Sequence, residues 1–333
     1  MCKKAAYISA NTTVACNFMT TLVSERHKLK FYLTIVLGSL FFLAMGIGML
    51  IVYFKHSSSG QLKSKDQLLP FFSMGVLFLA IYTVYKYYRN APKIQVDNLT
   101  ISFNDQTFAI SDLDHVDLTG KRSFPYLFGF QMEAATLQFK DGQTKYIFDD
   151  MYQNSWQLKS FLKQVVIDKK DFALQTPNNI NTTELDNEYY DTFEGNQFTS
   201  LRGILLWGFI VFFTYTVLTS NGSHKTASFL VYIFFSVLWF FLHSLTMNYF
   251  KVSENFMVIK NHNLLWRRKA YRLSDIKEVT FETQGKMPNC LRVITKEFRN
   301  KLYLAATLSD KTWLELKDKL ESYNISVRNE CIR

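Results

Sequence analysis

One pattern of apolar and polar segments occurs twice along the chain. Each copy has two long apolar segments joined by a short polar loop, followed by about 75 residues in which apolar and polar positions alternate. The bilayer core is about 30 Å thick, so a helix needs about 20 apolar residues to cross it. The pattern therefore predicts an integral membrane protein with four transmembrane helices in two hairpins. The apolar segments are residues 31–54 and 68–85 in the first copy, and 203–219 and 226–247 in the second.

The residues after each hairpin predict a small β-rich domain that ends in one amphipathic helix. Residues 99–103 alternate strictly, and Asp141-Gly142 separates two further alternating runs, as in a tight β-hairpin. Apolar residues from Leu158 to Val165 then follow helical spacing. Residues 273–279 in the second copy match residues 110–116 in the first.

This organisation divides the chain into seven parts. The parts are an N-terminal cytoplasmic tail (1–30), hairpin 1 (31–90), β domain 1 (91–168), an acidic polar linker (169–200), hairpin 2 (201–248), β domain 2 (249–325) and a C-terminal tail (326–333).

A transmembrane hairpin followed by an all-β domain with a Ser-Asp-Ile/Leu-x-x-Val strand and a closing helix resembles the bacterial pleckstrin-homology-like membrane proteins. The YcxB-like and related bacterial PH groups fit best, in tandem copy, over residues 31–166 and 201–323, with 271–276 as the most specific stretch. The resemblance implies that each β domain is a PH-like, strongly bent sheet or partly open β-barrel of seven strands, capped by its C-terminal helix. It supplies no catalytic residues. Residues 120–133 depart from the family pattern.

Charge predicts the orientation and separates the two domains. Basic residues next to the apolar segments favour a multi-pass protein of the cytoplasmic (inner) membrane with both termini in the cytoplasm. Residues 91–168 hold 7 basic and 10 acidic residues, net −3, whereas residues 251–333 hold 17 and 10, net +7. The acidic linker is expected to be a solvated tether, with contact to the basic second domain as the alternative.

A basic cluster in the second domain is the main candidate site. Cations beside a membrane attract anionic headgroups by about 1 kcal/mol each, and an adjacent Trp suits the interface. Contact with anionic lipid or with an acidic protein partner is one interpretation, and a solvated strand that only enforces orientation is the other. The cluster consists of Lys260, Trp266, Arg267, Arg268, Lys269 and Arg272.

Two further groups are candidates for contacts. An aromatic loop, residues 124–130, either enters the bilayer interface, docks on the other domain or fills the core; its aromatic residues are Phe124, Tyr126, Phe128 and Phe130. Ala44 and Gly48 form a small-xxx-small pair that lets helices approach closely, within this chain or between two copies.

The motifs that the sequence lacks narrow the range of functions that it predicts. The four cysteines show no metal-ligand spacing, and the chain has no phosphate-binding Gly-rich loop and no HExxH or GxSxG motif. We expect neither catalysis nor a cofactor nor nucleic-acid binding. Asp149-Asp150 is interpreted as a solvated loop.

These features predict a binding or scaffolding protein that holds two PH-like domains at the inner leaflet. Anionic lipid and a protein are the expected partners, and a homo-oligomer is possible. The alternatives are an immunity-type or regulatory protein whose spans bind a toxin or another membrane partner, and an oligomeric channel.

Overall fold

The computed structural model describes residues 21–60, 63–126, 129–174, 180–219 and 225–332, and side chains 225–228 are outside the description. Its long apolar helices form two antiparallel pairs, α1 with α2 and α5 with α6. Three of the described helices are long and apolar enough to cross a membrane, as in a membrane protein, and the described apolar part of α6, Phe229–Ser244, is shorter. The helices are α1 (Thr34–Ser58), α2 (Leu69–Asn90), α5 (Leu201–Thr219) and α6 (Lys225–Ser244), with a π-helical turn (Lys28–Leu33) before α1 and a 3-10 turn (Ser64–Leu68) before α2.

Module 1 consists of strands β1–β8 and helix α3, and all of these except β1 follow the first helix pair. Its strands form two antiparallel sheets, one ordered β1-β2-β3-β4 and the other β5-β7-β6 with β8 beside β7. Ile101 and Phe103 point inward from β3 by the alternation of a strand, and α3 closes the core with Leu158 and Phe161. The elements are β1 (Leu22–Val23), β2 (Ile94–Val96), β3 (Thr100–Phe103), β4 (Gln106–Ala109), β5 (Leu113–Asp117), β6 (Lys121–Phe124), β7 (Phe130–Phe139), β8 (Thr144–Phe148) and α3 (Ser155–Phe161), which a π-helical turn (Leu162–Ile167) extends.

Module 2 consists of strands β9–β16 and helix α7, and all of these except β9 follow the second helix pair. One sheet is ordered β9-β10-β11-β12 and the other β15-β14-β13-β16. Trp313 and Leu316 of α7 are fully buried against the sheets. The elements are β9 (Asp191–Phe193), β10 (Asn248–Val252), β11 (Phe256–Asn261), β12 (Arg268–Arg272), β13 (Ile276–Thr283), β14 (Asn289–Thr295), β15 (Asn300–Leu304), α7 (Asp310–Ser322) and β16 (Ser326–Asn329); α4 (Thr182–Asp186) precedes β9.

Both modules include strands from outside the predicted β domains. Strand β1 precedes the first helix pair and joins β2, and β9 precedes the second helix pair and joins β10. The segments expected as a tail and a linker thus each supply an edge strand. The C-terminal segment supplies β16, which runs parallel to β13. Strands of two to four residues carry too little alternation to be seen in a sequence.

The modules pack directly against each other. Phe298, in the turn between β14 and β15, belongs to the hydrophobic core of module 1. The guanidinium of Arg299 lies 4.0 Å from the ring centroid of Trp156 in α3, and Ser160 Oγ donates to Glu297 O at 3.0 Å. A single turn of module 2 therefore holds the closing helix of module 1.

Candidate membrane-facing site

The turn between β11 and β12 lies beside the end of α6. Asn261 Nδ2 donates to the carbonyl oxygen of Ser244 at 2.7 Å, and Asn263 Nδ2 donates to Ser244 Oγ at 3.0 Å. Ser244 is the last residue of α6. The N–H of His262 also donates to Met247 O at 3.1 Å. These bonds fix the turn at the level where the apolar helix enters module 2.

The tip of this turn, residues 264–269, exposes apolar and basic side chains together. Leu264 is buried and anchors the turn, whereas Leu265 is 82% and Trp266 is 73% exposed. The next three residues, Arg267, Arg268 and Lys269, are also exposed. Trp is enriched at membrane–water interfaces because its ring is amphipathic, and cations favour the anionic headgroups there.

Two members of the basic cluster are already paired within the chain. Arg268 lies 3.6 Å from Asp186, and Arg272 lies 2.9 Å from Glu184. Both carboxylates belong to α4, whose Leu185 is buried in a small apolar cluster of module 2. The expectation of a solvated tether is therefore wrong for this stretch. In the sequence, the apolar Leu185 between Glu184 and Asp186 was the feature that could have predicted this contact.

The remaining basic residues differ in surroundings. Burial lowers the pKa of Lys260, and the nearby charges of Lys251 and Arg268 lower it further. Among the described residues, no carboxylate pairs with Arg267 or Lys269, although Lys269 Nζ lies 5.7 Å from the Tyr271 ring. Arg267 and Lys269 are therefore the cations most available to an external anion.

The aromatic loop of module 1 packs along α2. Phe124 is fully buried, and Tyr126 Oη shares a hydrogen bond of 2.6 Å with Thr83 Oγ1. Asn90 Nδ2 donates to the carbonyl oxygen of Pro125 at 2.5 Å. Phe130 remains 40% exposed. Core filling thus accounts for Phe124, and the loop follows about the last two turns of α2. Phe128 lies outside the described residues.

The contact between α1 and α2 falls at Gly46. A Cβ on Gly46 would lie 2.8 Å from Leu77, and Ser73 Oγ donates to Gly46 O at 2.8 Å. Ala44 is exposed, and a Cβ on Gly48 would meet nothing within 4 Å. Packing of Ala44 and Gly48 against another copy of the chain stays a prediction.

Charged side chains are buried where the modules meet. Arg292 Nη2 donates to Glu282 Oε1 at 2.8 Å within module 2, and Lys121 of module 1 pairs with the same carboxylate. In the opposite direction, Arg328 of β16 lies 2.7 Å from Glu133 of β7. Burial opposes ionisation of Glu282, but Arg292 and Lys121 outweigh it and lower its pKa.

Asp149 belongs to the same buried layer, which corrects its interpretation as a solvated loop residue. Lys159 Nζ lies 2.5 Å from its carboxylate, and Asn300 of module 2 donates to it. Burial raises the pKa of Asp149, and the charge of Lys159 opposes that rise. Sequence reasoning missed this layer because the partners come from distant parts of the chain.

No known protein family matches this sequence, and a search of curated proteins found no significant match. Among the described residues, no group of three or more His, Cys, Asp or Glu side chains is placed to hold a metal ion.

Proposed function

We propose that the protein is a non-enzymatic, membrane-anchored binding protein that holds two PH-like modules at the inner leaflet. In this proposal both helix pairs span the cytoplasmic membrane, giving four spans with both termini in the cytoplasm. The observation that supports it is the place of the tip, beside the end of α6, with Leu265 and Trp266 exposed next to three cations.

The tip is suited to contact anionic headgroups. Leu265 and Trp266 place apolar surface at the interface, while Arg267 and Lys269 add about 1 kcal/mol each near a negatively charged leaflet. Such contact selects for charge and not for one headgroup, because long, exposed cations impose little geometry.

Module 1 has the complementary role in this proposal. Its net charge of −3 disfavours an anionic surface, so a protein is its expected partner. The buried charged layer and the Phe298 turn hold the two modules together, so that lipid contact by module 2 also orients module 1.

Fluorescence quenching tests the lipid contact on the full chain. The protein is placed in nanodiscs that carry a doxyl-labelled lipid with either an anionic or a zwitterionic headgroup. The signal of Trp266 is the difference between the native chain and Trp266→Phe. We expect stronger quenching by the anionic label, and we expect Arg267→Gln with Lys269→Gln to remove the excess. Added salt should also reduce it.

Lys277→Gln with Lys296→Gln is the matched control, because it removes the same charge elsewhere. Lys296 N donates to Asp275 O at 2.8 Å, just beyond the end of β12 opposite the tip. Strand β12 lies between Trp266 and Asp275, and its five residues span about 16 Å. Equal quenching by both labels in the native chain would refute the headgroup contact.

A further inference from the structure

A cleft of about 650 Å³ lies between the two modules. Its module 1 wall consists of α3, the π-helical turn after it and the loop between β5 and β6, and its module 2 wall includes the turn between β14 and β15. Binding sites for small molecules usually measure about 300–1,000 Å³ and often lie between domains. The cleft therefore has the size and the place of a ligand site.

The walls of the cleft are firmly held. Phe298 adopts a left-handed backbone conformation with φ of 60°, which is uncommon for a bulky residue, and its side chain is buried in module 1. Arg299 stacks on Trp156, and Ser160 bonds to the backbone of Glu297. Contacts on this turn keep the cleft formed, so a ligand need not create it.

The lining combines apolar surface with lysines that have no carboxylate partner. Trp156 and Ile167 supply the apolar part, with Ile167 half-exposed at the edge, and the buried Phe298 ring lies beneath. Lys277 Nζ lies 4.6 Å from the Phe298 ring centroid and 3.3 Å from Thr119 Oγ1. Within the described part of the chain, neither Lys277 nor Lys296 pairs with a carboxylate.

Two of the three carboxylates in the lining are already paired. Asp117 lies 3.4 Å from Arg122, and Asp168 lies 2.6 Å from Lys163. The third, Glu297, is only partly exposed and lines the cleft together with both lysines.

Burial also lowers the pKa of Lys277, with the charge of Glu278 opposing that effect. A group whose charged form is disfavoured by burial is stabilised when an anion binds beside it.

We propose that this cleft binds a small, water-soluble anion with a flat apolar body, of the class of aromatic carboxylates and phosphate monoesters. The anionic group pairs with Lys277 and Lys296, and the apolar body lies against Trp156 and Ile167. The cleft reaches Lys296, beyond the end of β12 opposite the tip, which favours entry from water. This site is separate from the tip and does not depend on the proposed lipid contact.

Equilibrium dialysis on the full chain in nanodiscs of purely zwitterionic lipid tests the proposal. The probes are 1-naphthyl phosphate, 1-naphthoate and uncharged 1-naphthol, with empty nanodiscs measuring partition into lipid. We expect saturable binding of both anions. The anion that binds more tightly identifies the acidic group that the cleft prefers. Lys277→Gln and Lys296→Gln should each weaken anion binding by about fivefold, as expected for one solvated charge pair.

A second pair of variants keeps the test decisive if the lysine variants fold poorly. Ile167→Trp fills the edge of the cleft from an exposed position and should weaken the binding of both anions. Arg267→Gln with Lys269→Gln at the tip should leave the binding of both anions unchanged. Equal binding of 1-naphthol, no saturable anion binding, unchanged affinity in the lysine and Ile167 variants, or a loss caused by the tip variants would each overturn the proposal.

Discussion

The two modules place different loops beside the ends of their long apolar helices, and their aromatic residues differ in exposure. In module 1 the aromatic loop lies on α2, with Phe124 fully buried and Tyr126 bonded to Thr83. In module 2 the tip beside α6 leaves Trp266 and Leu265 exposed. Aromatic residues at the end of a long apolar helix thus serve packing in module 1 and stay exposed in module 2.

Charged residues show the same contrast. Arg292 and Lys159 are almost completely buried and each pairs with a buried carboxylate, whereas Arg267 and Lys269 at the tip are exposed. The residue type is the same, but only its neighbours decide whether it stabilises the fold or is available for binding. The difference teaches that the tip of module 2 exposes cations, whereas cations elsewhere in the modules are buried in pairs that hold the fold together.

The largest effect is expected at Phe124. Phe124→Ala removes a fully buried ring from the core of module 1 and should lower the free energy of unfolding by about 4 kcal/mol. Urea denaturation of the full chain in nanodiscs measures it. Phe130→Ala, at a half-exposed position in the same loop, is the control and should cost less than half as much. Equal losses would show that the loop is not packed as described.

A somewhat smaller effect is expected at Arg292. Arg292→Met leaves Glu282 buried with Lys121 as its remaining partner. The free energy of unfolding should therefore fall by about 3 kcal/mol, the low end of the range for removing one partner of a buried ion pair. Adding Glu282→Leu should restore part of the lost free energy of unfolding, because the buried carboxylate without its partner is then removed. Arg267→Met at the tip is the exposed control and should change little. Additive losses in the double variant would argue against the pair.

The sequence predicts the parts of the fold that repeat over many residues. The long apolar helices, the β-rich character and the two closing helices follow from hydrophobic period, and three of the helices meet the length and composition for a membrane span. Short elements carry no such period. Strands β1 and β9 exist because longer neighbouring strands offer an edge, which only tertiary structure supplies.

The candidate site was predictable in composition but not in detail. Local sequence identifies Trp266, Arg267 and Lys269 as a basic cluster, and the structure adds their place beside α6. The local sequence could not show that Arg272 pairs with Glu184, because Glu184 lies 88 positions away along the chain. The cleft and the buried charges between the modules likewise depend on contacts between distant segments.

The smallest effect on stability is expected at the tip. Trp266→Ala should change the free energy of unfolding by no more than about 0.5 kcal/mol, since substitutions at exposed positions without packing partners rarely do more. Leu264→Ala, two residues earlier but buried, should cost several times as much in the same urea titration. A loss above about 1 kcal/mol for Trp266→Ala would mean that the ring packs within the protein. The tip would then resemble the aromatic loop, and the contrast between the two modules would fail. An unchanged stability instead leaves Trp266 as a large apolar ring whose burial must come from outside the chain.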